Sequence, residues 1–152
     1  MKRKNGRNEG EVFTGAQASG YILDEAGYLP TEDLRNTTIL EPSAGTGALA
    51  MLIIERLYQS SQAYGFSFID SLVENVRLIE HDRVVFDALV ENINRRLKKV
   101  TENHYEATRQ ICQLSNFLLV PFDKKFDCIV GNPPYIRHER IPEEEKAIYR
   151  QK

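Results

Sequence analysis

The tetrapeptide Asn132-Pro133-Pro134-Tyr135 carries the residue types best suited to chemistry, and it follows directly on the apolar run 126–131. Proline fixes φ and lacks a backbone N–H, so we expect a preformed loop here, not a continued strand. The Asn132 side-chain carbonyl and the Pro133 main-chain carbonyl can both accept from one planar NH2 group, with the Tyr135 ring stacked beside it. The pattern indicates a site for a flat, amino-bearing group such as a nucleobase or an amide.

A simpler interpretation of the same tetrapeptide is a turn at the end of a strand. Asn-Pro and Pro-Pro pairs commonly mark turns that have no chemical role. Taken alone, the tetrapeptide leaves both interpretations open.

A second motif, Glu41-Pro42-Ser43-Ala44-Gly45-Thr46-Gly47, lies upstream between a short apolar strand and an apolar helix. Gly45 and Gly47 permit a tight turn and close approach by a ligand, and the following helix N-terminus suits a carboxylate or phosphate. Such glycine pairs also occur for conformational reasons alone. Position 50 is Ala50 where a dinucleotide fingerprint has its third glycine, and the Lys-Ser/Thr pair of a P-loop is missing, so we do not expect nucleoside triphosphate hydrolysis.

Together the two motifs resemble those of S-adenosylmethionine-dependent amino-methyltransferases, specifically the DNA adenine-N6 methyltransferases of bacterial restriction-modification systems. The upstream motif looks like the cofactor loop of that family, and Asn-Pro-Pro-Tyr looks like its catalytic loop. The order of the motifs is similar to that of the subgroup whose recognition domain follows at the C-terminal end. The resemblance extends from about residue 11 to about residue 150.

The resemblance implies a set of cofactor contacts at the ends of the predicted strands. The methionine end of S-adenosylmethionine would lie on the loop formed by Glu41, Pro42, Ser43, Ala44, Gly45 and Gly47. Glu80, which ends the second predicted strand, would accept from the ribose hydroxyls, and His81 would lie against the adenine. A solvated carboxylate at a strand end is the simpler interpretation of Glu80.

Two further contacts depart from the family pattern. Asn116-Phe117 occupies the place of an Asp-Phe pair beside the adenine, and Asn116 accepts without the help of a negative charge. Phe13-Thr14 resembles a Phe-Thr-Pro element that covers the cofactor, with Gly15 in place of the proline. Ordinary core packing is the alternative for Phe13.

The implied mechanism uses neither a metal ion nor a strong base. Hydrogen bonds to the Asn132 and Pro133 carbonyls favour a pyramidal nitrogen that attacks the sulfonium methyl group in line. An adenine inside a duplex is inaccessible, so it would be flipped out of the DNA and stacked on Tyr135. DNA is therefore the expected partner, with a restriction or specificity subunit as a further one.

Other functions remain open from the sequence. The loop is also similar to that of enzymes that methylate the glutamine side chain of release factors. Their Asn-Pro-Pro-Tyr is commonly followed by isoleucine, as it is here by Ile136. Glu41-Pro42 and Phe13-Thr14 are more typical of the DNA enzymes. RNA adenine methylation and a cofactor-binding fragment or interaction module without turnover are the remaining alternatives.

Composition fits a single cytoplasmic enzyme domain. The chain has 152 residues and a net charge of −2, so any contact with DNA must come from local patches. Cys112 and Cys128 fall in predicted buried strands, which favours core packing in a reducing compartment. No apolar stretch approaches a membrane span, and the basic start lacks the apolar core of a secretion signal.

Alternating strand and helix signals predict an α/β fold of the Rossmann-like class I methyltransferase type, with a mostly parallel sheet. We predict strands at 37–41, 76–80, 110–114 and 126–130, and helices at 17–26, from 47 to about 59, and from Asp82 onward. Segment 66–73 is either a helix or a loop. The resemblance implies seven strands in the order 3-2-1-4-5-7-6, so we expect a truncated domain over 11–152 behind a flexible basic tail at 1–10.

Overall fold

The computed structural model describes residues 9–123, 125–132 and 146, with side chains described from residue 17 onward. Within these residues the elements are as follows: α1 Glu9–Glu25, β1 Ile39–Glu41, α2 Ala48–Tyr64, α3 Phe68–Asn75, β2 Val76–Glu80, α4 Arg83–Leu97, α5 His104–Ile111, β3 Cys112–Leu114, a 3-10 helix Phe117–Leu119, and β4 Cys128–Ile129.

The four described strands form one parallel sheet in the order β3-β2-β1-β4. Ile39 of β1 lies opposite Val76 of β2 on one side and Cys128 of β4 on the other. The predicted Rossmann-like α/β class and the order of its first four strands are confirmed. Because parallel strands all end at the same edge, the residues after β1, β2 and β4 are brought together there.

A core of aliphatic side chains covers the sheet. The central strands β1 and β2 are largely buried on both faces, as expected where helices cover a parallel sheet. Fully buried residues come from the strands and from α2 and α4: Ile39, Leu40, Leu78, Ile79, Ile53, Ile54, Leu57, Leu89, Ile93 and Leu97. The inner face of α4 therefore packs in the core, and the Asp82 carboxylate accepts from Val85 N–H at 3.0 Å to cap that helix.

Helix α2 is longer than the sequence predicted, because two polar residues near its end are buried. Ser60 Oγ accepts from Leu34 N–H at 3.0 Å and donates to the Glu32 carbonyl at 2.7 Å. Ser61 Oγ donates to the Tyr58 carbonyl at 2.7 Å. The prediction that the helix ends near residue 59 is wrong, since these hydroxyls are satisfied within the fold and the helix continues to Tyr64.

Other element boundaries also differ from the predictions, and strands β1 and β4 are shorter than the predicted 37–41 and 126–130. Helix α1 begins at Glu9, ahead of the predicted residue 17. The undecided segment 66–73 forms most of α3, which Ser67 caps by accepting from Asp70 N–H at 3.4 Å. Helix α5 was not predicted, and it takes Gln110 and Ile111 out of the predicted third strand because Ala107, Thr108 and Ile111 form a buried helical face.

The predicted burial of the two cysteines is confirmed for Cys112 and holds only in part for Cys128. Cys112 is buried and Cys128 half-buried, and both are free thiols. Strand β4 is an outer strand of the described sheet, and Ile129 is 62% exposed on it. None of the helices in the described residues is long and apolar enough to cross a bilayer.

Candidate active site

The turn between β1 and α2 has a left-handed backbone at both of its glycines, with φ 56° at Gly45 and 101° at Gly47. A Cβ on Gly47 would lie 2.9 Å from Leu89 Cδ1, so this glycine also allows the turn to approach α4 closely. A Cβ on Gly45 would meet no atom within 4 Å. The backbone at Gly45 is therefore open to a ligand.

The Glu80 carboxylate ties this turn to the end of β2. Its Oε2 accepts from Gly45 N–H at 2.9 Å, and its Oε1 accepts from His81 N–H at 2.8 Å and Asp82 N–H at 2.9 Å. The side chain is only 7% exposed. The interpretation of Glu80 as a solvated strand-end carboxylate is therefore wrong, because Glu80 is a buried acceptor that organises two adjacent loops.

The segment after β4 is held against the same turn. Val130 N–H donates to the Leu40 carbonyl at 2.9 Å, which continues the pairing of β4 with β1. A Cβ on Gly131 would lie 3.5 Å from Ser43 Oγ and 3.6 Å from Pro42 Cδ. These are ordinary contact distances, so Gly131 packs directly against the turn and Asn132 follows beside it.

A cavity of about 370 Å³ opens between these loops. Its described lining comes from the ends of β1, β2 and β4 and from the start of α4: Ser43, Gly45, Glu80, His81, Asp82, Val85 and Asn132. The structure therefore brings the two sequence motifs to one hollow. Asp82 and Val85 were not predicted to line it, although their position just after β2 is the signal that could have indicated them.

Two buried polar atoms at the turn have no hydrogen-bond partner among the described residues. They are Glu41 Oε2 and Ser43 Oγ. Glu41 is 2% exposed, and its burial, together with the nearby charge of Glu80, raises the pKa of its carboxyl to about 8. Buried polar atoms without partners are uncommon in folded proteins, so they indicate a place where a ligand or water completes the hydrogen bonding.

The described lining of the cavity is acidic. It contains the carboxylates of Glu80 and Asp82 and the largely exposed ring of His81, whose Nδ1 lies 3.2 Å from Glu80 Oε1. None of the described lining residues is a lysine or an arginine. This charge distribution favours a cationic ligand over a phosphate.

Two of the predicted cofactor residues, Asn116 and Phe117, lie away from this cavity. Asn116 Oδ1 accepts from Leu118 N–H at 3.1 Å and caps the 3-10 helix, and the Phe117 ring lies 5.8 Å from that of Phe122. Neither Asn116 nor Phe117 lines the cavity. The loop they begin is still tied to the site, since Ser115 N–H donates to the Glu80 carbonyl at 2.9 Å.

Two further residues of the predicted cofactor loop pack within the protein. Pro42 lies next to Gly131, since its Cδ would be 3.6 Å from a Cβ at that position. Ala44 is buried, and its N–H donates to the Ile79 carbonyl at 2.8 Å. Phe13 and Thr14 belong to α1, where the side chains are not described. Three residues predicted for the catalytic loop, Pro133, Pro134 and Tyr135, lie outside the described residues. Within the described part of the chain, no group of three or more potential ligands is placed to hold a metal ion.

Known proteins are similar in sequence to this chain over nearly its whole length. Type II methyltransferase M.PaeR7I of Pseudomonas aeruginosa is 36% identical over 147 residues, which are 93% of this chain and 25% of that protein. M.XhoI of Xanthomonas vasicola is 34% identical over 149 residues, 93% of this chain and 27% of that protein. M.BstVI of Geobacillus stearothermophilus is 34% identical over 160 residues, 96% of this chain and 28% of that protein.

The chain thus spans about a quarter of the length of these curated relatives. A family profile described as Eco57I restriction-modification methylase matches residues 52–152, which is more than half of the chain. The profile covers the carboxylate at the end of β2 and the Asn-Pro-Pro-Tyr segment. This chain belongs to the Eco57I restriction-modification methylase family.

Proposed function

We propose that this chain forms the S-adenosylmethionine pocket and the catalytic loop of a DNA adenine-N6 methyltransferase of a restriction-modification system. The observation that carries the proposal is the single cavity shared by Ser43 and Gly45 of the glycine turn, Glu80 at the end of β2, and Asn132 after β4. Three features that the sequence predicted separately are therefore adjacent in space.

The described residues fit a cationic nucleoside cofactor. S-Adenosylmethionine carries a sulfonium and an ammonium group, and the cavity lining is acidic without a lysine or arginine. The Gly45 backbone leaves space for close approach, and Glu41 Oε2 and Ser43 Oγ are available as acceptors at the turn. The bound cofactor would supply an electrophilic methyl group, while Glu80 accepts from its ribose and Glu41 faces its amino-acid end.

The role of Asn132 follows from its position in the cavity wall. Its side-chain carbonyl can accept one N–H of an exocyclic amine, and the Pro133 carbonyl is proposed to accept the other. Holding the amine beside the methyl donor contributes to the rate through orientation, without a strong base. The Pro134 ring is proposed to stiffen the loop, and Tyr135 to stack on the flipped base.

The substrate is proposed from the relatives and from the loop motif. The three relatives are named as Type II methyltransferases, and the family description refers to restriction-modification, which favours DNA over the glutamine side chain of a release factor. The Asn-Pro-Pro-Tyr loop supports an amino nitrogen as the acceptor, and adenine N6 is the one proposed here. A restriction or specificity subunit is a further partner that the proposal allows.

Asn132→Ala in the full-length protein tests the catalytic assignment. The variant should bind S-adenosylmethionine within about threefold of the wild type, yet lose at least about a hundredfold in transfer, because only the acceptor for the amine is removed. Calorimetric titration measures binding, and mass spectrometry of nucleosides from treated DNA measures N6-methyladenine.

Asn103→Ala is the matched control, because Asn103 is an exposed asparagine before α5 whose side chain caps nothing. It should leave both readouts unchanged. Full turnover by Asn132→Ala would remove the proposed role of this residue. Wild-type protein that binds the cofactor but methylates only release factor, or methylates cytosine, would overturn the substrate assignment.

A further inference from the structure

Glu41 combines three properties that its proposed contact with the cofactor does not by itself explain. It is a carboxylic acid that is 2% exposed, its Oε2 has no hydrogen-bond partner among the described residues, and it lies within electrostatic range of a second carboxylate, Glu80. An ionised carboxylate in such a place is costly, because burial removes water and the neighbouring negative charge repels it.

No positive charge in the described surroundings compensates Glu41. Glu80 of β2 is its electrostatic neighbour, and the residues after Glu80 that line the adjoining cavity, His81 and Asp82, add no lysine or arginine. The turn 43–47 and the segment Gly131–Asn132 contribute no titratable side chain. Burial, followed by the charge of Glu80, raises the pKa of Glu41 to about 8, which agrees with this geometry.

The Glu80 carboxylate cannot donate the hydrogen bond that Glu41 lacks. Both of its oxygens already accept backbone N–H groups, from Gly45 on one side and from His81 and Asp82 on the other. Glu41 Oε2 receives no such donor among the described residues, so a proton on Glu41 offsets the cost of its burial when no cation is bound beside it.

We infer that Glu41 is protonated in the unliganded protein and releases that proton to solvent when the ammonium group of the cofactor binds beside it. The O–H bond of Glu41 breaks, the resulting carboxylate pairs with the ammonium, and one proton passes to the buffer. This inference rests on the proposed function, because it requires a ligand whose amino-acid end reaches the end of β1. It makes Glu41 a determinant of affinity for ligands with a cationic amino group.

The sign of the pH dependence follows from the proton balance. The free protein holds one more proton than the complex, so raising the pH favours the complex. Between about pH 6 and pH 7, where Glu41 is protonated and the ligand's amino group is still charged, the binding constant should rise by up to about tenfold per pH unit.

The test is calorimetric titration of the wild-type chain with S-adenosylhomocysteine at about pH 6.5, in two buffers of different ionisation enthalpy. This probe keeps the ammonium group and carries no transferable methyl. Because one proton passes to the buffer per ligand bound, the two measured heats should differ by about the difference between the ionisation enthalpies of the two buffers. 5′-Methylthioadenosine, which lacks the amino-acid end, should bind without this difference.

Two variants identify the source of the proton. Glu41→Gln should bind S-adenosylhomocysteine with no difference between buffers and with an affinity that is flat over the same pH range. Glu102→Gln, which changes an exposed glutamate far from the cavity, should keep the wild-type difference. A proton still released by Glu41→Gln would overturn the inference.

Carbon-13 NMR of the wild-type side-chain carboxyls covers the case in which Glu41→Gln does not fold. The Glu41 signal should have the protonated shift in the free protein and the ionised shift with S-adenosylhomocysteine bound. An ionised Glu41 in the free protein, or binding without proton release, contradicts this inference alone. Lack of binding by every one of these ligands contradicts the proposed function, and this inference with it.

Discussion

At the scale of single residues, the site depends on backbone positions that have no side chain. Gly45 and Gly47 both have positive φ, but they meet different surroundings, since a Cβ at Gly47 would press on Leu89 whereas one at Gly45 would point into open space. The first glycine of the pair is thus placed for ligand approach and the second for packing. The Glu80 carboxylate stabilises the turn, because it accepts from Gly45 N–H.

Gly45→Ala is expected to weaken cofactor binding by more than its effect on stability. The left-handed backbone should cost about 1 kcal/mol in the free energy of unfolding, and the new Cβ would occupy space that the ligand needs. We expect at least about a tenfold loss of affinity for S-adenosylhomocysteine by calorimetric titration.

Gly65→Ala provides the control, because Gly65 ends α2 at φ 69° and a Cβ there also meets no atom within 4 Å. It should show a similar loss of stability with unchanged affinity. Equal affinities for the two variants would mean that the ligand does not approach the backbone at Gly45.

At the scale of elements, buried polar groups decide where helices end. The segment 60–65 is polar in sequence, and yet Ser60 and Ser61 are buried within α2. Ser60 joins α2 to the chain before β1 through Leu34 and Glu32. That partner is distant along the chain, so no local pattern could indicate that the helix continues.

Ser60→Ala should lower the free energy of unfolding by about 1–3 kcal/mol, because it leaves the buried Leu34 N–H without its acceptor. Urea denaturation followed by circular dichroism measures this change. Ser61→Ala is the matched control, since Ser61 Oγ donates only within its own helix, to the Tyr58 carbonyl. An equal loss of stability in both variants would show that the hydrogen bond to Leu34 stabilises the fold no more than one within the helix does.

At the scale of the whole molecule, the site exists because β4 is paired with β1. Asp127 and Thr38 hold the start of this pair. Asp127 Oδ2 accepts from Thr38 N–H at 2.9 Å and from Thr38 Oγ1 at 2.7 Å, and Thr38 Oγ1 accepts from Asp127 N–H at 2.9 Å. These bonds hold the pKa of Asp127 below its usual range. Their contribution is therefore present at neutral pH and is lost as the pH falls through that lowered pKa.

Thr38→Val is expected to loosen β4 while keeping a branched side chain suited to a strand. It removes two of the three bonds to Asp127, so the Cys128 and Val130 amides, which donate to the Thr38 and Leu40 carbonyls, should exchange at least about tenfold faster. Hydrogen exchange followed by NMR measures these rates. Thr37→Val, one residue earlier, should leave them unchanged, and unaltered exchange in Thr38→Val would show that Asp127 does not hold the strand.

Local signals were strong enough to predict much of this arrangement from the sequence. The strand at 76–80 and the start of the next helix at Asp82 agree with the structure, because both depend on short-range patterns. Helix α5 was missed, since the stretch 110–114 was predicted as a strand, whereas Ile111 belongs to the buried face of a helix that packs against α3 and α4.

By itself, the sequence determined the parallel α/β class and the two motifs, and it predicts a site for a planar amino group, because these depend on residue types and local spacing. Only the tertiary structure decided that Ser43, Glu80 and Asn132 share one cavity, that Asn116 caps a turn away from it, and that Glu41 is buried without a partner. The physical reason is that hydrogen bonding and desolvation depend on neighbours contributed by distant parts of the chain, which a linear pattern does not specify.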